Sequence, residues 1–291
     1  YRSTQFARDT GLPCITVQHH VAHVLSCMAE NEIEPPVLGV SWDGTGYGLD
    51  GTVWGGEFFR ITRNGYERVA HFRQVRLPGG ERAVREPRRS ALGFLFEIFG
   101  DAAFDRAELE TIRAFPSSEM PVLRAMLEHQ LNSPLSSSAG RLFDGVASLL
   151  GLRQQVRFEG QAAMELEFLV GANPDSCAYE LAPKETSAAV VLDWEPTIEA
   201  VLAELKQRVP PGIISARFHN TLVESVLKVA QREGLERVVL SGGCFQNRYL
   251  TERLVGRLSE EKFRPYWHQR VPPNDGGICL GQVVAAYWWK V

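Results

Sequence analysis

Apolar residues follow two periods along this chain. Residues 37–43, 52–61 and 66–75 are apolar, β-branched or alternating, the pattern of strands. Asn64-Gly65 supplies a tight hairpin turn, so the three stretches predict an antiparallel meander, broken afterwards by Pro78-Gly-Gly80. Ahead of it, Cys14 to Gln18 reads as a short strand, and His19 to Glu30 has the composition of a helix stopped before Pro35-Pro36. From Ser90 to about residue 131 the period is helical, with Leu92, Leu95, Phe96 and Phe99 on one face. Shorter helices are expected over 141–151 and 158–167, the second with Gly160 at its start. Two weak strands should fall within 175–193, and helices over 196–207 and 215–233. The last third returns to α/β, with strands at Arg237–Leu240 and Phe263–Trp267 and a final helix starting in the Val271–Gly281 turn. No internal repeat is present.

Composition adds bounds. A chain of 291 residues, 44% hydrophobic and 23% charged, is an ordinary globular protein with core enough for one or two lobes. The net charge of -4 argues against nucleic acid or an anionic membrane as the main partner. Five scattered cysteines without a CxxC pair argue against a disulfide framework or a cysteine zinc site and fit a reducing cytosol. No apolar run reaches spanning length and no signal peptide opens the chain, so a cytoplasmic location is expected. The chain opens on Tyr1 rather than Met, which predicts a fragment of a longer protein.

The candidate chemistry sits where these elements join. Asp43 ends the first strand of the meander and runs into Gly44, Gly46 and Gly48, residues that let backbone N–H groups approach a ligand. The plainer reading is a glycine-rich hairpin turn capped by Asp43. His19 and His23, four apart, share one face of a helix, a spacing that suits two imidazoles on one ion, although the glutamate of an HExxH helix is missing. Alternatively one caps the helix and the other packs in the core; His20 points elsewhere and is structural. The four arginines within 81–89 could clamp phosphate or carboxylates, but a solvated face is the favoured reading. Asp144 lies among apolar neighbours, unusual for a carboxylate with no partner. Gly242 and Gly243 join a strand to a helix start, a common way to place backbone against a nucleotide. Asn274 and Asp275 have the chemistry of helix N-caps. Cys244 and Cys279 read as small packing residues. Two imidazoles and two carboxylates would suit Fe²⁺ or Zn²⁺ over an all-oxygen Ca²⁺ site, without choosing between the two.

Taken together and in order, HHVAH (19–23), SWDGTGYG (41–48), GRLFDGVASLLG (140–151) with FEGQAAMELE (158–167), LSGGCFQN (240–247) and VPPNDGGICLGQ (271–282) carry a resemblance. They resemble the C-terminal domain of the HypF family of hydrogenase-maturation carbamoyltransferases, itself similar to TsaD, the tRNA threonylcarbamoyl-transfer protein, and to antibiotic O-carbamoyltransferases. The resemblance spans almost the whole chain and implies an α/β fold of the actin-like ATPase (ASKHA) kind, with two lobes clasping a nucleotide. The first lobe would be truncated: residues 1–36 its remnant, 37–272 the second lobe with the nucleotide and phosphate loops, and 273–291 a C-terminal helix returning to the first.

The resemblance also implies roles. His19, His23, Asp43 and Asp275 would hold a divalent metal, Fe²⁺ or Zn²⁺, with Asp43 and His23 also the catalytic residues. Gly44, Thr45 and Gly46 would contact phosphate. Asp144, Gly160, Gly242, Gly243 and Asn247 would bind the nucleoside of ATP, AMP or carbamoyl-adenylate, Asp144 through a ribose hydroxyl. The implied reaction moves a carbamoyl group from carbamoyl-adenylate to the C-terminal cysteine thiol of a HypE-like acceptor, on the way to the cyanide ligand of [NiFe]-hydrogenase. The adenylate would be made from carbamoyl phosphate and ATP by N-terminal domains that this chain lacks. Transfer to a small molecule or to tRNA, and a non-catalytic docking fragment, are the alternatives.

Overall fold

The computed structural model describes residues 2–172, 174–186 and 189–289. Its centre is a mixed sheet of nine strands: β1 (Val37–Tyr47), β2 (Val53–Thr62), β3 (Gly65–Phe72), β4 (Val75–Arg76), β5 (Leu135–Ser136), β6 (Ala182–Glu185), β7 (Val190–Asp193), β8 (Arg237–Ser241) and β9 (Arg264–Trp267). The spatial order is β6-β7-β3-β2-β1-β8-β9, with β4 and β5 branching from β2. The meander is antiparallel as expected, while β8 joins β1 in parallel, Leu38 opposite Val238 and Ser41 opposite Ser241. A parallel neighbour so far along the chain needs a crossover, which the intervening helices supply.

Alternation along the central strands divides the core in two, because successive side chains point to opposite faces. Leu38, Val40, Trp42, Phe58, Val238 and Leu240 enter the larger core with helices Pro87–Phe99, Ala139–Leu149, Pro211–Glu233 and Arg248–Glu260. Val37, Phe59, Ile61 and Val239 face a smaller core made with helices His19–Glu30 and Ile278–Trp289. Two glycines set how closely that second layer sits. A Cβ on Gly39 would lie 2.5 Å from Val24 Cγ1, and one on Gly281 would lie 1.8 Å from the Ala22 carbonyl oxygen. Among the described residues no helix is long and apolar enough to cross a membrane.

Four expectations need correcting. Residues 14–18 form no strand; they run irregular and mostly exposed into the histidine helix, with no neighbouring strand to pair with. The glycines after Asp43 do not end β1, which runs on to Tyr47. Its ladder with β2 skips instead between Trp42 and Gly46, a bulge holding Asp43, Gly44 and Thr45 out of the pairing. The arginines of 81–89 are not a uniformly solvated face, since Arg88 and Arg89 are buried. Both donate to Glu86 Oε2, at 2.8 Å from Arg88 Nη2 and 2.9 Å from Arg89 Nε, and Glu119, just ahead of helix Met120–Glu128, pairs with Arg89. Opposite charge, from Glu86 within the segment and Glu119 beyond it, is what lets these guanidinium groups lie inside. Finally, Cys279 is exposed rather than packed, whereas Cys244 does pack against the larger core.

Candidate metal centre and its neighbouring pocket

The histidine helix starts at Gln18, whose Oε1 accepts the Val21 N–H at 2.9 Å, an N-cap made by an unusual residue. From there His19 and His23 project along one face, both buried. The β1 bulge brings Asp43 to them, and the turn before the last helix brings Asp275. His19 Nε2 lies 3.3 Å from Asp43 Oδ2 and 3.4 Å from Asp275 Oδ1; His23 Nε2 repeats both distances. The two Nε2 atoms are 3.2 Å apart, and the four ligand atoms all lie within 4.8 Å of one another.

These separations have a geometric reading. Five of the six separations, 3.2–3.4 Å, are of the size found between neighbouring ligands of one small ion, whose Zn–N and Zn–O bonds are about 2.0–2.2 Å. Two neutral imidazole nitrogens facing each other repel unless a proton or a cation lies between them. The donor set therefore fits one divalent ion, with nitrogen and oxygen ligands that suit Fe²⁺ as well as Zn²⁺. The local electrostatics agree. Burial alone would lower the His23 pKa, but Asp275 and Asp43 outweigh it and raise it to about 9. Burial alone would raise the Asp43 carboxyl, yet bonds from His19 and His23 hold it well below the usual carboxylate range.

Asn274 and Asp275 divide two roles that their chemistry left open. Asn274 Oδ1 accepts the Gly276 N–H at 3.0 Å as the cap, which leaves the Asp275 carboxylate for the histidines. Asp43 is pinned through its backbone. The Ser138 hydroxyl, 2.8 Å from both the Asp43 and Gly44 carbonyl oxygens, donates to them and accepts the Arg141 N–H at 3.2 Å as N-cap of helix Ala139–Leu149. The start of that helix thus faces the bulge, and the positive end of its dipole favours an anion there.

Beside the quartet lies a second polar cluster. Gly243 N–H donates to Asp43 Oδ1 at 3.2 Å. A Cβ on Gly44 would lie 2.8 Å from Glu159 Oε1 and 3.4 Å from Arg141 Nη2, so Gly44, Glu159 and Arg141 meet at one spot. Asp144, fully enclosed, lies 3.2 Å from Arg141 Nη1, but Asp144 Oδ2 and Arg141 Nε and Nη1 make no hydrogen bond. Burial raises the Asp144 pKa to about 6, with Arg141 opposing and Glu159 adding to the rise. Gly242 (φ +102°) passes over Trp42, where a Cβ would lie 2.2 Å from the carbonyl oxygen. Thr45 is exposed, and Gly160 (φ +80°) starts helix Gln161–Phe168 with open space around it. Asn247 faces inward instead. Its Oδ1 accepts the Leu250 N–H at 2.8 Å, and its Nδ2 donates to His219 Nε2 at 2.9 Å. A cleft of about 650 Å³ lined by His71, Arg73, Arg76 and Glu97 contains none of these residues.

Two polar groups here, Arg141 and Glu159, were not singled out by the sequence, and a third, His20, takes the structural place expected of it. Arg141 and Glu159 stand inside quoted motifs, flanking Asp144 and Gly160. His20 is fully buried, with Nδ1 3.2 Å from the Gln18 amide nitrogen. That nitrogen donates, so His20 carries its proton on Nε2, which has no partner. A Cβ on Gly46 would lie 2.4 Å from His20 Cε1, so the ring backs the glycine segment from behind. Adjacent histidines on a helix point about 100° apart, and only the third dimension shows where the middle one goes.

Comparison with known proteins gives the chain its relatives. Residues 39–282 match the family model described as the second subdomain of the carbamoyltransferase Kae1-like domain, and residues 1–30 match the HypF Kae1-like domain model. A carbamoyltransferase HypF from Synechocystis is 42% identical over 98% of the chain, which spans 38% of that relative's length. A crystal structure of full-length HypF in its phosphate- and nucleotide-bound form superposes with a TM-score of 0.91 at 41% identity, covering 98% of this chain and 45% of that one. The HypF structure from T. kodakarensis gives 0.83 at 27% identity, over 99% of this chain and 38% of the other.

Proposed function

Since the chain belongs to the HypF carbamoyltransferase family and carries its Kae1-like domain, we propose that it transfers a carbamoyl group from carbamoyl-adenylate to the C-terminal cysteine thiol of a HypE-like acceptor. The observation that carries this reading is the convergence of His19, His23, Asp43 and Asp275 directly beside the Gly44–Arg141–Glu159 spot. The fold is read as the second lobe of an actin-like two-lobed ATPase with the remnant of a first. The carbamoyl-adenylate comes from carbamoyl phosphate and ATP through domains outside this chain. Five free cysteines suit a reducing, cytoplasmic setting.

A divalent ion held by the quartet supplies Lewis-acid polarisation of a phosphate or carbamoyl oxygen. The protein's own groups do the rest. Asp43 is held ionised by its two histidine partners, so it stays an anionic ligand through the neutral range. The N–H groups of the β1 bulge and the start of helix Ala139–Leu149 accept the negative charge that builds on the departing adenylate. Arg141 adds a cation at that spot, and Asp144 offers an acceptor to a ribose hydroxyl. No side chain here need form a covalent intermediate, because the acceptor brings its own thiol. Cys244 in particular is held protonated by burial, which raises its pKa.

The test pairs metal content with acceptor choice. Wild type should bind one equivalent of Zn²⁺ or Fe²⁺, and His23→Ala should lose at least 100-fold in metal affinity, more than an outer partner's usual 10–100-fold. Supplied with carbamoyl-adenylate, the chain should carbamoylate a peptide ending in cysteine and not a small alcohol or tRNA. Equal metal content in the two proteins, or a preference for either other acceptor, would refute the assignment.

A further inference from the structure

A second set of polar side chains on the histidine helix has a place in this site although none can be a ligand. Ser26, Glu30 and Asn31 follow His19 and His23 toward the end of the helix and just past it, and all three hold the segment 267–277 that carries Asp275. Ser26 Oγ donates to the Gly277 carbonyl at 2.8 Å, and Asn31 Nδ2 to the Trp267 carbonyl at 3.2 Å. Glu30, buried, accepts the Gln269 and Arg270 N–H groups at 2.9 and 2.5 Å, and His268 Nδ1–H at 2.8 Å. These bonds, with His268 among them, keep the Glu30 carboxylate ionised against the effect of burial.

His268 extends the chain of bonds. With Nδ1 donating to Glu30, its Nε2 accepts from Ser241 Oγ at 2.9 Å, at the end of β8. One residue on, Gly242 N–H donates to the Pro273 carbonyl at 3.0 Å. The order serine–histidine–carboxylate is that of a hydrolase triad. Ser241 is fully buried, however, so no substrate carbonyl can reach its oxygen. The relay therefore holds structure in place. It fixes, at both ends and in the middle, a short segment whose ligand, Asp275, is otherwise exposed.

We propose that Glu30, relayed through His268 to Ser241, is a positioning residue for the metal site: it sets the distance between Asp275 and the two histidines. One helix then carries two ligands and also the clamp that brings in a third. The proposal rests on the metal reading above. Anchors of this kind are worth about 10–100-fold in metal affinity.

The test uses Zn²⁺ titrated against a chromophoric chelator, with amide hydrogen exchange over 268–277 read on the metal-free protein. Glu30→Ala should weaken Zn²⁺ binding by about 10–100-fold and speed exchange at Gln269 and Arg270, while Glu30→Gln, which can still accept, should recover most of both. Combined with Asp275→Ala, Glu30→Ala should add no further loss of affinity, because it acts through that ligand. Independent, additive losses would overturn the proposal, and so would unchanged exchange at 269–270 even if no variant binds metal. Zn²⁺ binding that His23→Ala abolishes but Glu30→Ala leaves intact would sink the clamp and spare the metal site. Should Glu30→Ala fail to fold, Ser26→Ala frees only the Gly277 carbonyl and should weaken binding about fivefold. An unchanged affinity there would count equally against the clamp.

Discussion

The metal quartet and the Arg141–Asp144 pair are neighbours built on opposite principles. Every member of the quartet points at the others, and its anchors reach into three separate segments of the chain. Arg141 and Asp144 sit on one helix turn, enclosed and within ion-pair distance, yet several of their polar atoms make no hydrogen bond. A satisfied cluster is a preformed site. A buried pair left half-satisfied raises the energy of the folded protein and lowers the cost of binding anything that completes it. The first is a candidate site for an ion, and the second would favour a polar ligand over water.

That contrast can be broken most severely at Asp144. Asp144→Ala leaves the Arg141 guanidinium buried without its carboxylate and should cost about 3–5 kcal/mol in urea denaturation. Replacing both residues with leucine should restore stability to within about 1 kcal/mol of wild type while abolishing nucleotide binding by calorimetry. In the quartet the same kind of truncation, Asp275→Ala, removes an exposed carboxylate that helps hold the charge on His23 and should cost about 1 kcal/mol of metal-free stability, well below the cost at Asp144. If Asp144→Ala proved as mild as Asp275→Ala, the two regions would not differ in the way described.

Acid titration sharpens it at the back of the pocket. His219 is enclosed between Ser215 and Asn247, and burial lowers its pKa to about 4. Between its unfolded value, near 6.5, and that folded value, the unfolded chain binds the extra proton. Stability must therefore fall as pH drops from about 6.5 to about 4, by about 3 kcal/mol from this group. Asp144 works the other way, since its raised pKa means the folded state takes up the proton first, below about pH 6. His219→Gln should remove the acid-side loss, leaving stability that rises relative to wild type as pH falls through this window. Equal pH slopes for the two proteins would show that His219 is not held neutral.

A smaller effect than that at Asp144 is expected at Gly46. A methyl there would press within 2.4 Å of His20 and 2.8 Å of His19. Gly46→Ala should cost about 1–3 kcal/mol in thermal or urea unfolding, and it should also weaken metal binding, because His19 must move. Loss of stability with untouched metal affinity would separate the glycine segment from the quartet.

Much of this molecule follows from sequence order alone. The antiparallel meander, the histidine helix and the strand–glycine–helix exit at Ser241 rest on local periodicity and turn chemistry, which act over a few residues. The candidate ligands were named from residue type, four-residue spacing on one helix face and the ordered motifs. Where the structure differs, the deciding contact is one that no period or turn rule encodes. Arg88 and Arg89 look like solvated charge until Glu119 arrives, and β1 seems to end at Asp43 until β2 pairs with it beyond the bulge.

Only the tertiary structure decided how Asp275 and Asn274 divide capping from ligation, that His20 lies behind Gly46, and that Glu30 and Ser26 clamp a segment more than 235 positions later. The physical reason is one of range. Propensity and periodicity depend on near neighbours and are carried in the string of residues. Burial, pairing and the tautomer of a histidine depend on what the folded chain packs against, and no spacing rule encodes that.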